Sequence, residues 1–294
     1  GLRYNGGGTN KFKGRSDGGR ENKMKVALIQ LRSTDDKAYN LEHAAGMITE
    51  AAQGGTDVVV LPEMFCCEYK NSSFIASQEP AGGPAWSMLS AAAKEHGVWI
   101  IGGSIPEADG GRLYNTSFVF DRQGRQAARC RKSHLFDIAV KGGQHFRESD
   151  TFTPGDEIVT FDTEFGRLGL CICFDMRFPE LARIMALDGA WAVFCPASFN
   201  MTTGPAHWEI MFRSRAVESQ VYTLGCAPAR DVDGSYVSYA NSIIVHPWGN
   251  IIERAGADEC ILRAEITESE AAAIREQLPL MSARRTDVYN LERR

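Results

Sequence analysis

Three ionisable side chains stand where runs of strand character end. Glu63 closes Asp57-Val-Val-Val-Leu-Pro-Glu63, Lys132 follows the run 126–131, and Cys173 ends Leu168-Gly-Leu-Cys-Ile-Cys173. A carboxylate, an ammonium and a thiol at strand ends, where α/β proteins place their sites, suit covalent acyl transfer. The thiolate attacks an amide or nitrile carbon, the carboxylate takes the thiol proton and later activates water, and the cation stabilises the oxyanion. Each residue also has a plainer reading. Glu63 could be a solvated loop residue, Lys132 one more surface charge beside Arg129 and Arg131, and Cys173 a small buried hydrophobe.

The pattern around Cys173 is compatible with the chemical reading, and spacing alone does not decide between the two. An apolar run over 168–173 predicts a buried strand, and Pro179 with Glu180 suits the first turn of a helix. A thiol at such a strand-to-helix turn meets backbone N–H groups and the positive end of a helix dipole, which favour a thiolate and any oxyanion beside it.

Around these positions runs a βα rhythm. Strand 26–31 is followed by a helix over 41–53, with Leu41, Ala44, Ala45 and Ile48 at helical spacing, and Gly54-Gly55 ends it. Strand 57–61 is closed by Pro62; a helix over 84–96 leads to strand 98–102. Strand 113–121 turns through Asp121-Arg-Gln-Gly124 into strand 126–131. The polar stretch 132–156 is too long for a connector and reads as a functional loop. After the Cys173 strand come strand 191–195 and a helix over 207–219 with Trp208, Met211, Phe212 and Arg215 on one face. Strands over 221–227, 242–246, 251–254 and 261–266 and a short helix over 269–277 complete the pattern, and 278–294 carries charge without a core pattern of its own. Segments 51–63 and 185–196 share an order of helix, glycine, strand and proline, which hints at two similar halves. No Pro- or Ser-rich linker divides 24–294, so one domain is expected. Residues 1–23, rich in Gly and charge, read as a disordered leader or an appended tail, with Met24 as the natural start.

Composition narrows the class. The 294 residues are 44% hydrophobic and 23% charged, as in an ordinary globular protein, and a net charge of -5 leaves no electrostatic footprint for nucleic acid or an acidic membrane. Apolar runs are too short to span a bilayer. Eight scattered cysteines without a paired framework point to a reducing compartment, the cytoplasm by default. Cys171 and Cys173 are expected to share a strand face without forming a metal site, and His134, His145 and His207 lack ligand spacing.

Three motifs, Leu61-Pro-Glu63-Met-Phe, Arg131-Lys132-Ser-His-Leu-Phe and Ile172-Cys173-Phe-Asp-Met-Arg-Phe-Pro-Glu-Leu, stand in that order. On them the chain closely resembles the nitrilase superfamily of carbon–nitrogen hydrolases over about 24–291. The resemblance implies an α-β-β-α sandwich and a Glu63–Lys132–Cys173 triad, with Glu148 of Phe146-Arg-Glu-Ser as the second glutamate that orients Lys132. It adds the Phe174 N–H to Lys132 as oxyanion donors. It also implies a homodimer or larger assembly paired through the helices after the nucleophile, with the C-terminal tail crossing to a neighbour. No cofactor or metal is required.

Within the superfamily, Pro196-Ala-Ser-Phe-Asn-Met-Thr-Thr-Gly-Pro-Ala-His-Trp-Glu209 and Ala227-Pro-Ala-Arg-Asp231 look most like the omega-amidases, which hydrolyse the side-chain amides of alpha-ketoglutaramate and alpha-ketosuccinamate. Deaminated-glutathione, N-carbamoyl and nitrile hydrolysis use the same thioester route and remain alternatives. Intact Glu63, Lys132 and Cys173 argue against a non-catalytic scaffold. Two departures stand out: Cys171 where relatives commonly carry Gly, and Phe174 where Tyr is frequent. A substrate carboxylate needs a partner. Arg177, Thr202 and Thr203 are candidates, although Arg177 could equally brace the turn by pairing with Asp175 or Glu180, and Arg213 and Arg215 could be plain helix-face charges.

Overall fold

Alternation along the first strands sets the layers. In a computed structural model describing residues 23–293, Met24, Val26 and Leu28 of β1 (Lys23–Gln30) enter one hydrophobic core while Ala27 and Ile29 enter another. β2 (Val58–Val60) and β3 (Trp99–Ile101) divide likewise, with Val58, Val60, Trp99 and Ile101 in the first core and Val59 and Ile100 in the second. Side chains alternate with period two, so a sheet of such strands is apolar on both faces and needs cover on both.

The same sheet takes in β4 (Ile105–Asp109), β5 (Arg112–Phe120) and β6 (Gln126–Arg131). β7 (Asp137–Ala139) and β8 (His145–Arg147) form a separate hairpin. A second sheet holds β9 (Val159–Thr163), β10 (Gly166–Leu170), β11 (Ala192–Pro196), β12 (Tyr222–Cys226), β13 (Ile243–Val245) and β14 (Ile251–Arg254). β15 (Cys260–Thr267) returns to pair antiparallel with β1. Strand order is β15-β1-β2-β3-β5-β4 in the first sheet, with β6 on β5, and β14-β13-β12-β11-β10-β9 in the second. Each sheet is parallel at its centre, through β1-β2-β3 and through β10-β11-β12.

The helices are α1 (Lys37–Ala52), α2 (Asn71–Ser77), α3 (Pro84–His96), α4 (Pro179–Leu187), α5 (Gly204–Ser219) and α6 (Glu268–Gln277). α1 and α3 pack on each other and on the first sheet; α4 and α5 do so on the second. The two sheets meet through β6 against β9 and β1 against β12. The fold is the α-β-β-α sandwich expected from the sequence. The echo between 51–63 and 185–196 is visible as well: α1 leads to β2 and α4 to β11, each a central parallel strand ended by a proline.

Several boundaries differ, each for a local reason. α1 starts at Lys37 because the Asp36 side chain caps it, accepting from the Tyr39 N–H at 3.0 Å. α5 starts at Gly204, with Pro205 in its first turn. β4, β9 and α2 went unforeseen. The stretch 132–156 is no structureless loop, since it folds into the β7–β8 hairpin. Residues 1–22 of the expected leader lie outside the described residues, but Lys23 already pairs with Thr267 and bridges Glu265 at 2.7 Å. In the tail, Arg293 reaches Asp188 at the end of α4, 2.6 Å away.

Candidate active site

The three chemical residues do sit beyond strand ends, at one end of the sandwich. Lys132 directly follows β6, Glu63 lies three residues past β2, and Cys173 three past β10. The expected strand through Cys173 stops at Leu170, so Cys171 and Cys173 do not alternate along one strand; the Cys171 thiol instead meets that of Cys195. Cys173 opens a one-turn 3-10 helix (Cys173–Arg177) and has φ 47, in the left-handed region. A non-glycine residue held there costs about 1–3 kcal/mol and persists only where its surroundings fix it. Here two side chains do so. The buried Asp175 carboxylate accepts from the backbone N–H groups of Ile172 at 3.1 Å and His134 at 2.8 Å. From α5, Arg215 donates to the carbonyls of Met176 and Arg177 at 2.9 and 2.8 Å. Arg215 is therefore a buried clamp on the turn, not a helix-face charge.

Lys132 is fully buried with its Nζ between two carboxylates, 2.9 Å from Glu63 Oε1 and 2.8 Å from Glu148 Oε2. Burial opposes its charge, yet Glu148 and Glu63 outweigh that and raise its pKa well above the ordinary lysine value. Glu148 is buried too; it accepts from the Phe136 N–H at 2.6 Å, and burial lifts its pKa against the pull of Lys132. Glu63 Oε2 accepts from the Ser198 N–H at 2.8 Å. The Cys173 thiol lies against the Glu63 carboxylate and the Ser198 N–H; burial first, and the charge of Glu63 second, push its pKa well above the usual thiol value. A carboxyl group, an ammonium and a sulfur from three distant stretches thus meet in one buried site. Beside Glu63 lies a partly open cavity of about 40 Å³, walled in part by Tyr69, Ser198 and Tyr236 and large enough to admit a water molecule.

Sequence reasoning missed Asn115, Tyr69, Ser198 and Asp175 as site residues. Asn115 Nδ2 donates to both Glu63 Oε1 and Glu148 Oε1, each at 2.9 Å, and the Tyr69 hydroxyl lies 3.4 Å from both Glu63 Oε1 and Lys132 Nζ. Asn115 sits inside the foreseen β5 strand, so only the strand register could have revealed it.

The substrate-binding candidates divide. Arg177 pairs with neither Asp175 nor Glu180; its guanidinium lies over the Phe199 ring at 4.6 Å, Nη1 is 3.0 Å from His207 Nδ1, and its buried Nε has no partner. Burial lowers its pKa while the Cys173 thiolate would raise it. Thr203 is buried and its hydroxyl donates to Asn200 Oδ1 at 3.1 Å, so it closes the turn into α5 and offers no free donor. Thr202 is exposed, under the β7–β8 tip, where a Cβ on Gly143 would come 2.9 Å from its methyl group. That tip is tied down by Asn200, whose amide donates to Gln144. Phe174 turns its ring edge-on to Phe136 and Phe178. Arg213 pairs with Glu209 at 3.2 Å on the α5 surface.

The family profile described as "Carbon-nitrogen hydrolase" matches residues 25–276. The chain is 47% identical to the omega-amidase NIT2-A of Xenopus laevis, covering 92% of this chain and 98% of that protein. It is 46% identical to the omega-amidase NIT2 of Homo sapiens over the same shares of both. Among solved structures, Saccharomyces cerevisiae Nit3, a member of branch 10 of the nitrilase superfamily, superposes with a TM-score of 0.82 at 40% identity, covering 90% of this chain and 97% of that one.

Proposed function

From the premise that the chain belongs to the carbon–nitrogen hydrolase family, whose members cleave non-peptide C–N bonds, we propose that it is an omega-amidase working through a Cys173 thioester. One observation carries the reading: the buried Lys132 ammonium held between Glu63 and Glu148, with the Cys173 thiol against Glu63.

Each step follows from those positions. Glu63 takes the thiol proton as sulfur attacks the amide carbon. Lys132 and the Phe174 N–H receive the charge on the carbonyl oxygen, where one such donor contributes about 3 kcal/mol. Glu63 then hands its proton to the departing ammonia, leaving the thioester. Water, activated by the same carboxylate, adds to the thioester; the acid is released and the proton returns to sulfur. Glu148 keeps Lys132 protonated and aimed.

The substrate class is a small keto-acid monoamide, alpha-ketoglutaramate or alpha-ketosuccinamate, hydrolysed to the keto diacid and ammonia. Arg177 supplies the counter-charge for its carboxylate, with Thr202 at the edge of the site; its unpartnered Nε and closeness to Cys173 support this. Residues 24–294 act as one catalytic domain in the cytoplasm, where eight unpaired thiols are stable. Two copies pair through the α4–α5 face, on which Ile210 and Val217 are exposed. Among the described residues no helix is long and apolar enough to cross a membrane.

The test is ammonia release from a panel of amides, nitriles and carbamoyl compounds. In it, alpha-ketosuccinamate competes with a neutral amide of equal size. Preference for the acid is expected; no preference removes the carboxylate pocket, and turnover confined to nitriles or carbamoyl compounds overturns the amidase reading.

A further inference from the structure

Two buried carboxyl groups share one buried cation inside the site. Glu63 Oε1 and Glu148 Oε2 both contact Lys132 Nζ, so a single ammonium is shared between two carboxyl groups. Of the neighbouring ionisable groups, Tyr69, Tyr236 and the Cys173 thiol carry no positive charge, and the Arg177 guanidinium lies on the far side of them, against His207 and the Phe199 ring and facing Cys173 and Tyr236. A neutral donor reaching both carboxylates would ease the repulsion without adding charge, and Asn115 has that geometry. Its Nδ2 lies 2.9 Å from Glu63 Oε1 and 2.9 Å from Glu148 Oε1, and an NH2 group carries two hydrogens, one for each. The orientation of the amide is fixed by chemistry, since turning Oδ1 toward two carboxylates would set acceptor against acceptor. Oδ1 is buried and lacks a hydrogen-bond partner in the structure, a cost accepted on one side of the amide while the other serves two anions. The Asn115 carbonyl also accepts from the Lys132 N–H at 2.8 Å, so one residue fixes the backbone of the cation and the side chains of both its partners.

We propose that Asn115 is a positioning residue that bridges Glu63 and Glu148 and holds the pair on Lys132, and that its loss narrows the acid side of the pH range of the reaction. The inference rests on Glu63 acting as the general base. Without Asn115, two carboxylates on one ammonium relieve their repulsion by taking up a proton at higher pH. The base is then lost sooner as the solution is acidified.

The experiment is the pH profile of kcat/KM for ammonia release from alpha-ketosuccinamate by wild type, Asn115→Ala, Asn115→Asp and Glu63→Gln. In Asn115→Ala the acid limb moves up by about one pH unit, so activity on that limb falls about tenfold relative to the variant's own plateau. Asn115→Asp, which keeps the volume, loses both donors and adds a third carboxyl, moves the limb further. It reads the same quantity if the alanine variant fails to fold. A limb that stays in place in an active Asn115 variant, with or without a lower plateau, overturns the positioning role alone. A wild type that releases no ammonia, or a Glu63→Gln variant as active as wild type, overturns the general-base reading and this inference with it.

Discussion

Asp175 accepts two hydrogen bonds from His134, one from the backbone N–H and one at the ring Nδ1, each 2.8 Å long. His134 lies two residues beyond Lys132, and Asp175 two beyond Cys173. One buried carboxylate therefore ties the turn that presents the thiol to the strand end that presents the ammonium.

That tie gives the first prediction. Asp175→Ala strands the N–H groups of Ile172 and His134, at about 1–3 kcal/mol for each unsatisfied group. It also frees Cys173 to leave its left-handed conformation. Displacing a reacting atom by an ångström costs about 100-fold. Thermal unfolding should show a loss of roughly 3 kcal/mol, and kcat should fall far more than KM rises.

Lys132→Met should abolish turnover and leave two buried carboxylates facing each other, costing roughly 3–5 kcal/mol at neutral pH. A raised folded pKa means that the contribution of Lys132 is complete below its unfolded value, about 10.4, and lost only as pH rises through the folded one. Glu148, raised by burial, adds stability below the unfolded carboxyl value that fades as pH rises through its folded one. The deficit of the variant should thus shrink on acidification from neutrality, as one carboxyl takes a proton. Chemical denaturation at several pH values reads this directly.

The raised pKa of Cys173 leaves its resting sulfur a neutral thiol, which in the proposed mechanism depends on Glu63 for activation. Alkylation by iodoacetamide, followed by peptide mass spectrometry, should keep accelerating as pH rises past the ordinary thiol range. A plateau reached by neutral pH would mean a preformed thiolate.

Arg177→Met removes the proposed counter-charge for the substrate carboxylate. A hydrogen bond to a charged group contributes about 1.5–3 kcal/mol, so KM for alpha-ketosuccinamate should rise about 10- to 100-fold. A neutral amide of the same size should lose little.

Part of this site is legible in the sequence. Helix α3 ran over 84–96 as expected because Pro84 begins it and Gly97, at φ 63, ends it. Strand ends single out Glu63, Lys132 and Cys173 only as candidates; the three motifs shared with the family are what join them, and Glu148 comes through the same likeness. The hidden features have separate causes. β4 contains Pro106, which reads against a strand but is tolerated at a sheet edge, where β4 lies. Helix α2 is seven residues long and its N-cap, Lys70, makes no side-chain cap. Asn115, Ser198 and Asp175 act across 33 to 135 residues of chain, through registers and turns that no local pattern encodes. Thr203 looked like a free hydroxyl, yet Asn200, three residues earlier, captures it.

Trapping the acyl-enzyme tests the central claim most directly. Enzyme mixed with alpha-ketosuccinamate, quenched in acid within one turnover and digested, is read by mass spectrometry. A thioester adduct with the mass of the acyl group should appear on Cys173 and be absent from Cys171. Turnover with no adduct on Cys173, or an adduct on another residue, would contradict the account.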